Sequence, residues 1–265
     1  NWDTCKNETY NVGHDDLNMN KLQLAETIQK HTPLEIIRAE FTEDLDKRDY
    51  IVSSEKFYSK GFECKNDLVF INPGNSKEIY QGLAEDYSAV ETPTWSLLLA
   101  ESCRSVGYNV AILDMLAERM TSTQAVERLK ELNPRLICFV VYGQNPNSGT
   151  VNMSGTIKTA TALKDAGVQI PIGLVGSHVQ SLPYEVLNTE TSIDIGFTNE
   201  GVYALRNLLS QEFNLDNIEE LTDVKGIGFR KDGEAFLTEP EAIVPQSKMD
   251  EDLPGYAWDL LPYDK

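Results

Sequence analysis

Val175-Gly176-Ser177-His178, followed at Ile193-Asp194-Ile195 by Gly196-Phe197-Thr198-Asn199-Glu200-Gly201, is the stretch whose reading decides the fold of this 265-residue chain. Two apolar runs each end in a small, polar loop. That is the layout by which an open parallel sheet makes a crevice for a large ligand. Similar strand ends lie upstream at Asn72-Pro73-Gly74-Asn75, at Asp114 and at Tyr142-Gly143-Gln144-Asn145-Pro146.

Working outward, short apolar runs alternate with amphipathic segments from Asp67 onward, the pattern that βαβ units require. Strands are expected at Leu68–Ile71, Val110–Leu113, Leu136–Val141, Ile170–Val175 and Ile193–Ile195. Helices are expected from Thr94 to Val106, Ser122 to Leu132, Met153 to Ala166, Pro183 to Leu187 and Gly201 to Leu209. Gly107 and Gly167 stand just past two of these helices, where a left-handed residue ends the helix. After about Ser210 the alternation stops. Val224–Arg230, a turn at Lys231-Asp232-Gly233 and Ala235–Thr238 read as a hairpin, and Pro240, Pro245, Pro254 and Pro262 punctuate an acidic tail that reads as a linker. The expected fold is therefore α/β: a doubly wound, Rossmann-like (flavodoxin-like) sheet of five parallel strands over residues 67–210. A partly helical extension over residues 1–66 precedes it, and a hairpin plus linker over 211–265 follows.

The net charge of −19 is concentrated toward the tail, where residues 211–265 carry 5 basic and 14 acidic groups. Such a surface repels nucleic acid and anionic lipid, so neither is an expected partner. No window approaches the roughly 18 apolar residues of a membrane helix, and the opening Asn1-Trp2-Asp3-Thr4 is no signal sequence, so a cytoplasmic protein is expected. Cys5, Cys64, Cys103 and Cys138 are far apart and lack the close spacing of zinc or redox sites. Cys138 falls within an apolar run and reads as core.

The loops exclude several ligands of this sheet type. Neither the G-x-G-x-x-G of a dinucleotide site nor the G-x-x-x-x-G-K-[ST] of a P-loop occurs. Asn147-Ser148-Gly149 lacks the first glycine of a nucleophile elbow, and Asp114 has no companion carboxylate for a phosphoacceptor site. What the loops do offer is glycine, amides and hydroxyls, which suit close approach by a large, amide-rich ligand.

The runs Asp67–Gly74, Thr92-Pro93-Thr94-Trp95 through Gly107-Tyr108-Asn109-Val110 to Asp114, and Gly176-Ser177-His178 through Pro183 to Asn199-Glu200-Gly201 resemble the cobalamin-binding domain of cobalamin-dependent radical S-adenosylmethionine enzymes. The tail motifs Gly226–Gly233, Asp252-Leu253-Pro254 and Trp258-Asp259-Leu260-Leu261-Pro262 look like the segment that joins that domain to the radical barrel. The resemblance implies a corrin ring over the carboxyl ends of the strands, with a nucleotide tail beside the fourth. The cofactor-facing set it implies is Asn72, Pro73, Gly74, Asp114, Gly143, Gln144, Gly176, Ser177, His178, Thr198, Asn199 and Glu200, with no catalytic residue and no protein ligand to a metal. Ser177 departs from a frequent second glycine. Leu116 stands where the D-x-H-x-x-G motif of base-off cobalamin proteins has histidine, so no histidine ligand to cobalt is expected from that loop. Trp95 reads as core before corrin platform, and His178 as structural before ligating. Gly176, read as facing a loop, is expected to tolerate a leucine without loss of the fold.

The radical chemistry of such enzymes needs a C-x-x-x-C-x-x-C triplet, which this sequence lacks. The resemblance thus assigns cobalamin to this chain, and the iron–sulfur cluster and S-adenosylmethionine to a radical barrel in cis beyond Lys265. The implied activity is methyl transfer from methylcobalamin. A stand-alone cobalamin carrier and a cofactor-free interaction domain are the alternatives.

Overall fold

The computed structural model describes residues 66–74, 90–142 and 146–262, without the side chains of 146–151. The chain divides into two compact units, Asn1–Cys64 and Lys65–Lys265, and the described residues belong to the second. The expected extension over residues 1–66, apart from its last residue, and the loop residues Asn75, Gly143, Gln144 and Asn145 lie outside the described residues.

Five strands run parallel: β1 (Leu68–Asn72), β2 (Val110–Asp114), β3 (Leu136–Val141), β4 (Ile172–Gly176) and β5 (Ile195–Phe197). Between them stand α1 (Thr94–Ser105), α2 (Ser122–Leu132), α3 (Pro146–Asp165), the short α4 (Ser177–Ser181) and α5 (Pro183–Thr189), and α6 (Val202–Leu209) follows β5. The strands are near-continuous apolar runs because helices cover both faces of the sheet. Phe70, Cys138 and Val140 pack with Leu97, Ala100, Leu205 and Leu208 from α1 and α6. Their sequence neighbours Val69, Ile71, Ile137 and Phe139 pack with Ala125, Leu129, Ala160 and Leu163 from α2 and α3 on the opposite face. Thr121 caps α2 through a reciprocal bond with Gln124, the device that satisfies the free amides of a helix start.

The doubly wound α/β fold is present, with seven strands where the sequence led us to expect five. The hairpin, β6 (Ile227–Lys231) and β7 (Glu234–Leu237), adds to the edge of β5 antiparallel, giving the order β2-β1-β3-β4-β5-β6-β7. Asp232 and Gly233 turn it with φ of 52° and 84°, the backbone a two-residue turn matched to strand twist demands. Arg230 fastens β6 to the preceding loop by donating to the carbonyls of Leu187 and Ile193 at 2.8 and 2.6 Å. Strand β5 lies two residues later than expected. Ile193 still closes a turn onto Glu190, and the Asp194 carboxylate is held by Lys164 and the Ile172 amide, so parallel pairing begins at Ile195 against Gly173.

The tail that reads as a linker packs on α1 and α6. Ala257 is fully buried, with Val244, Leu253, Leu260 and Leu261 half-buried beside it. Arg206 of α6 is the fastening point: it donates to Asp252 Oδ1 at 2.7 Å, to the Asp252 carbonyl at 2.9 Å and to the Ser102 carbonyl of α1 at 2.9 Å. The Tyr203 hydroxyl donates to Asp252 Oδ2 at 2.5 Å.

That cluster sets a pH window. The Tyr203 hydroxyl, and after it Arg206, hold the Asp252 carboxyl below its ordinary range, while the same bond pushes the Tyr203 phenol up to about 12. A depressed carboxyl stabilises the fold fully above its unfolded value of about 4 and loses that contribution as pH falls further. A raised phenol contributes below about pH 10 and loses its share as pH climbs toward its folded value. Asp252→Asn is expected to cost about 1–3 kcal/mol in urea unfolding at neutral pH, the range for charge-assisted hydrogen bonds, and to flatten stability loss below pH 4. An unchanged midpoint would show that the tail is held by its apolar contacts alone.

Candidate functional site

The sheet order reverses between β1 and β3, whose neighbouring carboxyl ends feed helices that leave in opposite directions. Such a switch point opens a crevice beyond the strand ends. A cavity of about 590 Å³ lies there. Its described lining comprises Asn72 and Pro73 after β1, Leu116 after β2, Val140 and Tyr142 of β3 and its end, and residues 91–96 together with Asn152.

Local chemistry explains why each group is free to face the cavity. Pro73 has no N–H to continue the β1 ladder, so the strand ends with Asn72 at the sheet rim. Pro93 precedes the first turn of α1, which puts Thr94, Trp95 and Ser96 at the helix start. Trp95 leans on Tyr142 with ring centroids 5.3 Å apart and planes at 60°, and its indole N–H donates to the Glu200 carbonyl at 3.0 Å. The Tyr142 hydroxyl accepts from the Gln180 side chain, and burial pushes its phenol up to about 12, so it is neutral at physiological pH. Amides, hydroxyls and aromatic faces make up most of the wall, and Glu91 is the single charged side chain among the described lining residues. Among the described lining residues there is no cationic side chain to meet a compact phosphate.

The residues expected to face a cofactor are dispersed. Asn72 and Pro73 line the cavity. Asp114 stands behind them, only 2% exposed, bonded to Asn72 and to the Ala117 amide; burial raises its carboxyl above the ordinary range. Gly74 packs on the Met115 carbonyl, and Gly143 and Gln144 lie outside the described residues. Ser177 and His178 begin α4. Ser177 Oγ is buried with no hydrogen-bond partner, as is Ser96 Oγ at the cavity. Thr198 bonds through its amide to the Gly226 carbonyl, the Asn199 side-chain amide donates to the Glu241 carbonyl, and the Glu200 carboxylate accepts from the Val244 amide at 2.6 Å. The fifth strand end thus clasps the tail as well as touching Trp95. Thr92, Thr94, Ser96, Tyr142 and Asn152 were not singled out as site residues by the sequence reading. The run Thr92-Pro93-Thr94-Trp95 was their available signal, since it opens a helix beside a strand end.

Gly176 corrects an expectation. It is a buried strand residue paired with Val141, and a Cβ on it would stand 2.2 Å from the Val141 carbonyl oxygen. The absent side chain is needed for two strands to approach.

Fold and cavity together define a doubly wound α/β domain with a ligand crevice at its switch point. Residues 81–209, just under half of the chain, match the family model of the B12 binding domain. Similar solved structures include the cobalamin-dependent S-adenosylmethionine radical enzyme OxsB with aqua-cobalamin and S-adenosylmethionine bound, with a TM-score of 0.51 and 17% identity, covering 82% of this chain and 28% of that one. Another is the radical S-adenosylmethionine methyltransferase TsrM from Kitasatospora setae with cobalamin and a 4Fe-4S cluster bound, with a TM-score of 0.47 and 15% identity, covering 68% of this chain and 30% of that one. The chain spans less than a third of the length of either protein. Among the described residues no group of three or more His, Cys, Asp or Glu side chains is arranged to hold a metal ion, and no helix is long and apolar enough to cross a membrane.

The site residues fit a cobalamin. Two buried serine hydroxyls without partners, one at the cavity and one at the β4 end, have hydrogen bonds to give, and the largely uncharged described wall suits amide side chains. Gly176→Ala, a smaller change than Leu, is expected to destabilise the fold by at least about 2 kcal/mol through overpacking. Thermal unfolding measures it, and a variant as stable as the parent would mean the β3–β4 spacing can relax.

Proposed function

We propose that this chain is the cobalamin-binding part of a radical S-adenosylmethionine enzyme, with cobalamin held across the carboxyl edge of the sheet and one end of it in the cavity between β1 and β3. The observation that carries this reading is the coincidence of that cavity, with its largely uncharged and partly aromatic wall, and the stretch that matches the B12 binding family. A cobalamin is larger than the drug-sized ligands that cavities of roughly 300–1,000 Å³ enclose, so the cavity takes only part of it. Thr92, Thr94, Ser96 and Asn152 supply hydrogen bonds to that part, and Trp95 and Tyr142 give it an aromatic face and keep water out. Methylcobalamin, when bound, supplies a transferable methyl group. The reading extends to a methyltransferase whose barrel follows in cis, binds the cluster and S-adenosylmethionine, and is reached through the docked tail. Its cytoplasmic location belongs to the same proposal.

Equilibrium dialysis with hydroxocobalamin, followed by visible absorption of the retained protein, tests the reading. Retention near one cofactor per chain is expected, and failure of the folded protein to retain any sinks it. Trp95→Ala is expected to weaken binding about tenfold, the equivalent of ~1.4 kcal/mol, by removing the aromatic face and its bond to Glu200. Given iron, sulfide, reductant and S-adenosylmethionine, the isolated chain is expected to cleave none, because its four cysteines do not form the cluster triplet. Cleavage would contradict the division of labour between this part and the barrel.

A further inference from the structure

Asn72 and Asp114 are the last residues of β1 and β2 and are paired across the parallel ladder, so their side chains emerge side by side at the sheet rim. Asn72 Nδ2 donates to Asp114 Oδ1 at 2.8 Å, and the same oxygen accepts the Ala117 amide at 3.1 Å. Two N–H donors therefore converge on one oxygen of a carboxyl that is almost wholly buried, and that oxygen accepts from both. An asparagine amide has chemically opposite ends, and the bonding network decides which way it points. One N–H of its NH₂ is committed to Asp114, which fixes the orientation of the amide and leaves the Asn72 carbonyl oxygen available as an acceptor beside the cavity that the residue lines. The one charged side chain in the described wall, Glu91, is an acceptor as well.

We propose that Asp114 is a positioning residue that fixes Asn72 as a hydrogen-bond acceptor toward the cavity, so that the site selects a ligand end bearing N–H donors, a primary amide, over the corresponding carboxylate. The inference rests on the cobalamin reading and deepens it. Cobalamin carries several primary amides around its ring. A carboxylate in place of the amide that meets the Asn72 carbonyl oxygen sets two acceptors against each other with no proton between them, which is costly. Asp114 acts only through Asn72, since it stands behind that residue and outside the cavity lining.

The experiment compares the affinity of the full chain at neutral pH for cobalamin and for its monocarboxylic acid derivatives, in each of which one side-chain amide is replaced by a carboxylate. The wild-type protein is expected to bind at least one derivative about tenfold more weakly than cobalamin, within the range by which an unpaired polar group is rejected. Asp114→Asn, whose amide can pair with either end of Asn72, and Asn72→Ala, which removes the acceptor, are expected to reduce that ratio to within about threefold while still binding cobalamin. A merely structural role would lower stability and leave the ratio unchanged. Should Asp114→Asn fail to fold, Asn72→Ala decides alone. Wild-type protein that binds cobalamin but treats all derivatives alike, or variants that keep the full ratio, overturn the positioning role and leave the cofactor reading standing. Wild-type protein that binds no cobalamin overturns both.

Discussion

The change of winding direction between β1 and β3 is the constraint on which the functional architecture depends. In a parallel sheet every strand ends on the same edge, and each connecting helix must cover one face or the other. At most positions the helices close over the strand ends. Only where consecutive neighbours in the sheet send their chains to opposite faces is a gap left, and here that gap lies between Asn72 and Tyr142. The cavity is thus a product of topology, and its walls are whatever residues the two diverging connections and the start of α1 bring there.

A second layer of order ties the cavity to the rest of the domain. Trp95 is held by the Glu200 carbonyl, and the Glu200 carboxylate is in turn held by the Val244 amide of the tail. Arg206 fixes α1, α6 and the tail through Ser102 and Asp252. The segment leading away from the domain is therefore in hydrogen-bonded continuity with the wall of the crevice. A tail of proline and acidic residues holds this position because Ala257 and its apolar neighbours bury themselves on α1, and because its carboxylates meet Arg206 and Arg104.

Much of the fold was legible in the sequence because its determinants are local. β3 and α2 occupy the spans that their apolar periodicity indicates, and β1, β2 and the hairpin turn agree to within a residue. The errors have physical causes. α4 was invisible because Ser177–Ser181 is too short to display a period, and β5 was misplaced because Ile193 looks like strand but serves a turn whose partner, Glu190, is a local carbonyl. Gly176 was misjudged because a glycine in a loop and a glycine under a neighbouring carbonyl look identical in a one-dimensional chain.

The candidate site was less legible. Asn72 and Pro73 could be named because a proline after an apolar run marks a strand end, whereas Asn199 and Glu200, which look alike as polar loop residues, turn their side chains to the tail. By itself the sequence determined that the strands are parallel and buried on both faces, that their ends are polar, and which family the stretch resembles, since alternation, punctuation and motif order are properties of neighbouring residues. Only the tertiary structure decided that the hairpin joins the sheet, that the tail docks, and that Trp95, Tyr142 and Asn72 meet around one cavity. Those outcomes turn on contacts between residues tens of positions apart, whose energies depend on strand order and close packing rather than on any local pattern.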